Sequence, residues 1–185
     1  MYKSIFILLV INLACTSCKK NTSTPTNPID QLPPATQVGA NTFGCLINGQ
    51  AFVPGNVAFG DAPVESNYQF LNNGYFFRLV GTYGYGNNIS SVGIFTDSLS
   101  LVQGDSLMFS SFGSLQSGIA TATYGGGPNI IYYNTFLPRY TGSLFITHFD
   151  SINQIISGTF WFNAVDQNGD TVHVSNGRFD VQYTR

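Results

Sequence analysis

Two histidines and nine acidic residues are the acid–base complement of this 185-residue chain. His148-Phe149-Asp150 places two metal-ligating side chains on one face of a predicted strand, and His173 lies in a nearby strand. Three such groups suit zinc when they converge. A lone histidine pair is more often hydrogen-bonded or solvent-facing, so no metal is expected. Asp166-Gln167-Asn168-Gly169-Asp170 has part of the composition of a calcium loop, but not its spacing or its closing Glu. It reads as a hairpin turn. The serines lack a Gly-x-Ser-x-Gly elbow. Glycoside hydrolysis needs two facing carboxyls about 5–10 Å apart, yet Glu65 is the sole glutamate and the aspartates sit mostly at turn positions. Gly81-Thr82-Tyr83-Gly84-Tyr85-Gly86 is not followed by a helix, which a phosphate loop requires. These residues point to a non-enzyme without a cofactor.

The remaining chemistry is aromatic. Trp161 alternates with Thr159 and Asn163 on the polar side of a predicted strand. Tyr132, Tyr133 and Tyr140 lie near loops and strand ends, as do Tyr83 and Tyr85. Flat rings beside amides stack on sugar rings and hydrogen-bond their hydroxyls. Trp161, Asn163, Tyr132 and Tyr133 are therefore the candidate ligand-binding residues of a carbohydrate-binding module. The alternative for Trp161 is burial beneath residues 55–67 or between sheets, since Trp is usually largely covered.

These residues sit on strands. No 3.6-residue apolar period is sustained; short Val/Ile/Phe/Tyr runs alternate with Gly and Asn. Four Asn-Gly pairs, at 48-49, 73-74, 168-169 and 176-177, signal type I′ hairpin turns. Thr42–Ile47 is expected to pair with residues 50–53, and residues 68–71 with 75–82. Residues 158–165, 171–174 and 178–183 are expected to form a meander, in which Phe160, Phe162 and Ala164 share one apolar face and Phe179, Val181 and Tyr183 another. Further strands are predicted over residues 90–95, 99–102, 106–112, 119–124, 130–134 and 142–149. The expected fold class is all-β, an antiparallel β-sandwich or a flattened barrel.

The N-terminus supplies an address. Lys3 precedes an apolar run of about ten residues, followed by Ala14-Cys15-Thr16-Ser17-Cys18. The run is half the roughly twenty residues a membrane span needs. It reads as a lipoprotein signal peptide over residues 1–18, with Cys18 lipidated and Cys15 as the alternative. Residues 19–41 are rich in Thr, Asn and Pro and are expected to be a flexible tether. A single β domain occupies residues 42–185. An anchor at Cys18 leaves Cys45 without a disulfide partner, whereas an anchor at Cys15 leaves Cys18 free to pair with it. In either case Cys45 lies in an apolar pattern and is expected to act as a small buried hydrophobe. The net charge is −2, and from residue 40 onward the cations are Arg78, Arg139, Arg178 and Arg185. Such a chain offers no basic face for nucleic acid. Its expected partners are a membrane, through the N-terminal lipid, and a glycan or another envelope protein. Its expected location is the outer membrane, on the periplasmic side.

Ile156-Ser157-Gly158-Thr159-Phe160-Trp161-Phe162, then Val174-Ser175-Asn176-Gly177-Arg178-Phe179-Asp180, resembles the C-terminal signature of a family of small Bacteroidetes-type lipoproteins with a domain of unknown function. Residues 32–37 and 39–45, with Asn48-Gly49, resemble that family's N-terminal signature. The resemblance implies address and one-domain architecture, and no catalytic residues. Lys19-Lys20-Asn21 departs from the acidic residues that often follow the anchor in surface-exposed members. The resemblance also implies O-glycosylation at Asp-Ser/Thr-apolar triplets. Four are present, with acceptors Ser98, Ser106, Ser151 and Thr171, where a random arrangement would give about one. Turn chemistry before a strand offers a second explanation for the same triplets.

Overall fold

The computed structural model describes residues 27–113 and 117–185. The signal peptide, Cys15, Cys18 and residues 19–26 of the expected tether lie outside the described residues. The chain is nearly all-β. Among the described residues eleven strands form one antiparallel sheet that is not closed into a barrel, in keeping with the sandwich of the two arrangements expected.

The strands are β1 (Thr42–Ile47), β2 (Gln50–Phe52), β3 (Val64–Leu71), β4 (Gly74–Tyr83), β5 (Ser90–Asp97), β6 (Ser106–Met108), β7 (Ile119–Gly126), β8 (Ile131–Asn134), β9 (Gly142–Asp150), β10 (Ile155–Val165) and β11 (Thr171–Gln182). Their order is β2-β1-β11-β10-β8-β7-β5-β4-β3, with β9 on β10 and β6 on β9. The continuity of this order rests at one point on a single residue pair, Val165 with Asn134. There the sheet folds over. Phe77 of β4 and Phe179 of β11 are far apart in the strand order, yet their ring centroids are 6.2 Å apart. Phe43, Phe77, Phe109, Phe162, Leu79, Ile94 and Ile156 fill the space between the layers. The alternation expected for the last two strands holds: Phe160, Phe162, Ala164, Phe179, Val181 and Tyr183 are all buried. Cys45 joins this core fully buried, and burial pushes its thiol pKa up.

The Asn-Gly pairs divide by context. Asn48 and Gly49 both take positive φ, and β1 pairs with β2 across them as expected. Between β3 and β4 the left-handed pair is Asn72-Asn73 rather than Asn73-Gly74. Gly74 instead opens β4, where a Cβ would meet the Ser98 Cα at 2.8 Å. At Asn168-Gly169 only Gly169 is left-handed, and Asp166 organises the turn by accepting from the amides of Asn168 and Asp170, each at 2.8 Å. Asn176-Gly177 is not a turn at all. Residues 171–182 form one strand along β10, and Asn176 (φ 52°) marks a register shift opposite Trp161. The reason is packing: the Phe160 ring occupies the space of a Gly177 side chain, with Phe160 Cδ2 only 2.5 Å from a built Cβ. The apolar run at residues 99–102 forms a loop rather than a strand, although Leu101 is buried.

The expected tether also needs correction over its described part. Residues 27–41 lie against the outer face of β1, β11 and β9. Leu32 is buried, and the Pro33 ring sits over Gly44, with Cδ 2.6 Å from a built Cβ. The fastening is Asp180, which is fully buried. Its carboxylate accepts from the Thr36 hydroxyl (2.6 Å), the amides of Val38 (3.0 Å), Gly39 (2.8 Å) and Ala40 (3.1 Å), and the Ser157 hydroxyl (2.8 Å). Burial alone raises a carboxyl pKa, but these donors outweigh it and hold Asp180 at about 2. Polar composition suggests a free segment because hydropathy does not reveal the buried anion that binds its amides.

Candidate functional site

A cleft opens at one end of the fold, between the tip of the β3–β4 hairpin and the ends of β9 and β11, with a volume of about 720 Å³. Its walls follow from strand alternation. Tyr68 and Phe70 on β3 share the inward face with Tyr75 and Phe77 on β4. Tyr68 and Phe77 are covered by the opposite layer, whereas Phe70 and Tyr75, nearer the tip, remain 60% and 39% exposed. The hairpin thus overhangs the core. Across the gap stand Phe149, Ser151, Tyr183 and Arg185.

The rings brace one another. Tyr68 stacks on Tyr75 with centroids 5.0 Å apart and meets Phe149 and Tyr183 edge-on, each at 5.6 Å. Phe149 and Tyr183 are parallel at 6.3 Å. Such geometries hold aromatic faces rigidly in place. The floor is fixed by the Tyr68 hydroxyl, which accepts from the Leu101 amide at 2.9 Å. Burial raises the Tyr68 phenol pKa, so it stays neutral and keeps its proton at ordinary pH. The adjoining turn is set by Asp150, which accepts from the amides of Ile152 and Asn153 and from the Asn153 side chain. Those bonds from Asn153 lower the carboxyl pKa. The C-terminal end is held by the Thr184 backbone, which bonds to Ser66 and Tyr68, and by the Arg185 guanidinium, which donates to the Ser151 carbonyl at 2.5 Å. Arg185 is the only charged side chain lining the cleft among the described residues.

The candidate residues named from sequence are dispersed. Trp161 is 41% exposed and is covered neither by residues 55–67 nor by the opposite layer. It borders a shallow groove of about 330 Å³ with Ala35, Phe145, Thr159, Asn176 and Arg178. Ser143 stands opposite it on β9, with Met108 beyond on β6, so exposed Met108 and Phe145 flank it. Asn163 faces a different groove, with Asn48, Arg139, Tyr140 and Thr171, and its side-chain oxygen meets the His173 Nδ1 at 2.5 Å. Tyr132 lies over Gly125, and Tyr133 stacks on Tyr124 at 5.8 Å. Because Val165 pairs with Asn134, Tyr132 falls on the order of 20 Å along the strands from Trp161. The four residues therefore do not form one sugar platform.

The acid–base residues are dispersed too. His148 pairs with Ser157 and His173 with Asn163, on opposite sides of β10 and about 20 Å apart along it. Glu65 is bound to Arg78 at 2.8 Å. Asp166 spends its oxygens inside its own turn. Among the described residues no cluster of three or more His, Cys, Asp or Glu is placed to hold a metal ion. Of the glycosylation acceptors, Ser106, Ser151 and Thr171 are exposed, whereas Ser98 is half-buried and donates to Asp97.

Sequence reasoning missed Tyr68, Tyr75, Phe149, Tyr183 and Arg185. Each occupies an ordinary strand position. The available signal was the inward register of Phe70 and Tyr75 at a hairpin tip, which becomes informative only once the side chains across from it are known. No family model, no curated protein and no solved structure matches this chain.

Proposed function

We propose that this protein is a non-catalytic binding domain of the cell envelope, lipid-anchored through Cys18, with the interlayer cleft as its ligand site. The observation that carries this reading is the cleft. Braced aromatic walls, hydroxyls and one cation converge on about 720 Å³, a volume typical of small-molecule sites. The dispersal of histidines and carboxylates supports binding rather than catalysis. The address rests on the signal-like residues 1–18 and on the resemblance to small Bacteroidetes-type lipoproteins.

The test is a thermal-shift screen of the full chain against small apolar, anionic and saccharide ligands, repeated with Tyr75→Ala. Tyr75 is partly exposed and not part of the deep core, so the variant should fold. Ligands that raise the melting temperature of the parent should fail to do so for the variant. Stabilisation by the same ligands in both proteins would place the site elsewhere.

A carbohydrate-binding reading centred on Trp161 is the second one, favoured by the exposed indole beside its groove. It now rests on Trp161, Thr159, Asn176 and Arg178 rather than on Asn163, Tyr132 and Tyr133. Loss of glycan-array binding in Trp161→Ala alone would support it.

A further inference from the structure

We infer that the interlayer cleft binds an anionic amphiphile, its apolar tail between the sheet layers and its head at Arg185; this rests on the cleft being the ligand site. Three features lead there. First, Phe70 and Tyr75 occupy core-facing positions yet remain 60% and 39% exposed. The side chains across the gap leave this apolar wall partly open among the described residues, so an apolar group entering here completes the packing and removes wall from water. Second, the rings of this wall are packed on one another and not laid out as a flat platform. Tyr75 is stacked on Tyr68 on one side and lies 4.9 Å from Phe70. A narrow tail packs against such rings, whereas a sugar ring needs an open aromatic face. Third, the lining carries a cation. Arg185 is the only charged lining side chain among the described residues. Asp150, between Phe149 and Ser151 in the chain, keeps its charge and binds the Ile152 and Asn153 amides and the Asn153 side chain within its own turn. A guanidinium lining the cleft, with more N–H donors than the one it gives to Ser151, pairs with a carboxylate, sulfate or phosphate head better than with a cationic one.

The experiment is isothermal titration of the full chain, in unacylated form, with dodecanoate, octanoate, dodecyltrimethylammonium and maltohexaose, each below its micelle concentration. Dodecanoate is expected to bind saturably at one site, more tightly than octanoate by up to about fourfold per fully buried methylene. The cationic amphiphile is expected to bind at least about fivefold more weakly than dodecanoate. Arg185→Gln should weaken dodecanoate about fivefold and abolish the preference over the cation. Phe70→Ser, at an exposed position, should weaken both fatty acids while leaving the melting temperature within a few degrees. Equal affinity for the two head charges, or no dependence on tail length, overturns the inference. Saturable maltohexaose binding that Tyr75→Ala abolishes overturns the ligand class while sustaining the cleft as the site. No saturable binding by any probe counts against both.

Discussion

Replacing Asp180 by Asn keeps the size of the side chain and removes its charge and half its accepting capacity. In the native fold one oxygen accepts from Thr36, Val38 and Ala40 and the other from Gly39 and Ser157. An amide NH₂ in either position faces at least one backbone N–H that then has no acceptor. Charge-assisted bonds contribute about 1.5–3 kcal/mol each, and an orphaned buried donor costs about 1–3 kcal/mol. A loss of about 3 kcal/mol is expected, or roughly 6–12 °C for a domain of this size. The pH dependence gives an independent estimate. The carboxyl pKa is lowered on folding from 3.8 to about 2, a difference worth about 2.4 kcal/mol. A depressed carboxyl pKa stabilises the fold fully above its unfolded value, and that stability drains away as pH falls from about 4 towards 2. Urea unfolding of both proteins at pH 7 should therefore show the full gap, which narrows at pH 2.5. Hydrogen exchange should find the Val38, Gly39 and Ala40 amides protected in the parent at pH 7 and released in the variant. Equal stability of the two proteins at pH 7, or a gap that does not narrow in acid, would refute the clasp.

Gly177→Ala should destabilise the domain by about 1–3 kcal/mol, because the new Cβ meets the Phe160 ring at 2.5 Å and a packed core yields only with strain; denaturant midpoints check this, and an unchanged midpoint would contradict the bulge packing. Trp161, the single tryptophan, should be quenched by acrylamide in the native state, and Trp161→Ala should cost about 1 kcal/mol or less in stability. Native fluorescence inaccessible to quencher would contradict the exposure of the indole.

The fold was largely legible because strand signals are local. Alternation in residues 158–165 and 178–183 assigns the buried face, and Asn48-Gly49 places a turn between short strands. The signals failed where a long-range partner decides. Asn176-Gly177 reads as a turn, but β10 runs unbroken beside it and the Phe160 ring claims the glycine's space, so the chain bulges and continues. Residues 27–41 read as a free tether, since nothing local announces that Asp180, 140 positions from Ala40, will capture three of their amides. The candidate site was less legible still. Trp161 stands out in a sequence because it is the single Trp on a polar face, and its exposure agrees with that placement. Tyr132, Tyr133 and Asn163 are near it in pattern but not in space, because the β8–β10 contact is one residue pair at the far end of the strand. The cleft depends on where the β3–β4 tip meets the ends of β9 and β11, which no window of sequence contains.

The central claim, that the interlayer cleft is the place where this protein meets its ligand, is tested most directly by mapping amide chemical-shift changes in the ¹⁵N-labelled chain during titration with a ligand that raises its melting temperature. The account predicts changes confined to residues 68–75, 100–101, 149–151 and 183–185, with little response at Phe145, Trp161 or Asn176. Changes centred on β6, β9 and Trp161, with the Tyr68–Tyr75 hairpin unmoved, would contradict it.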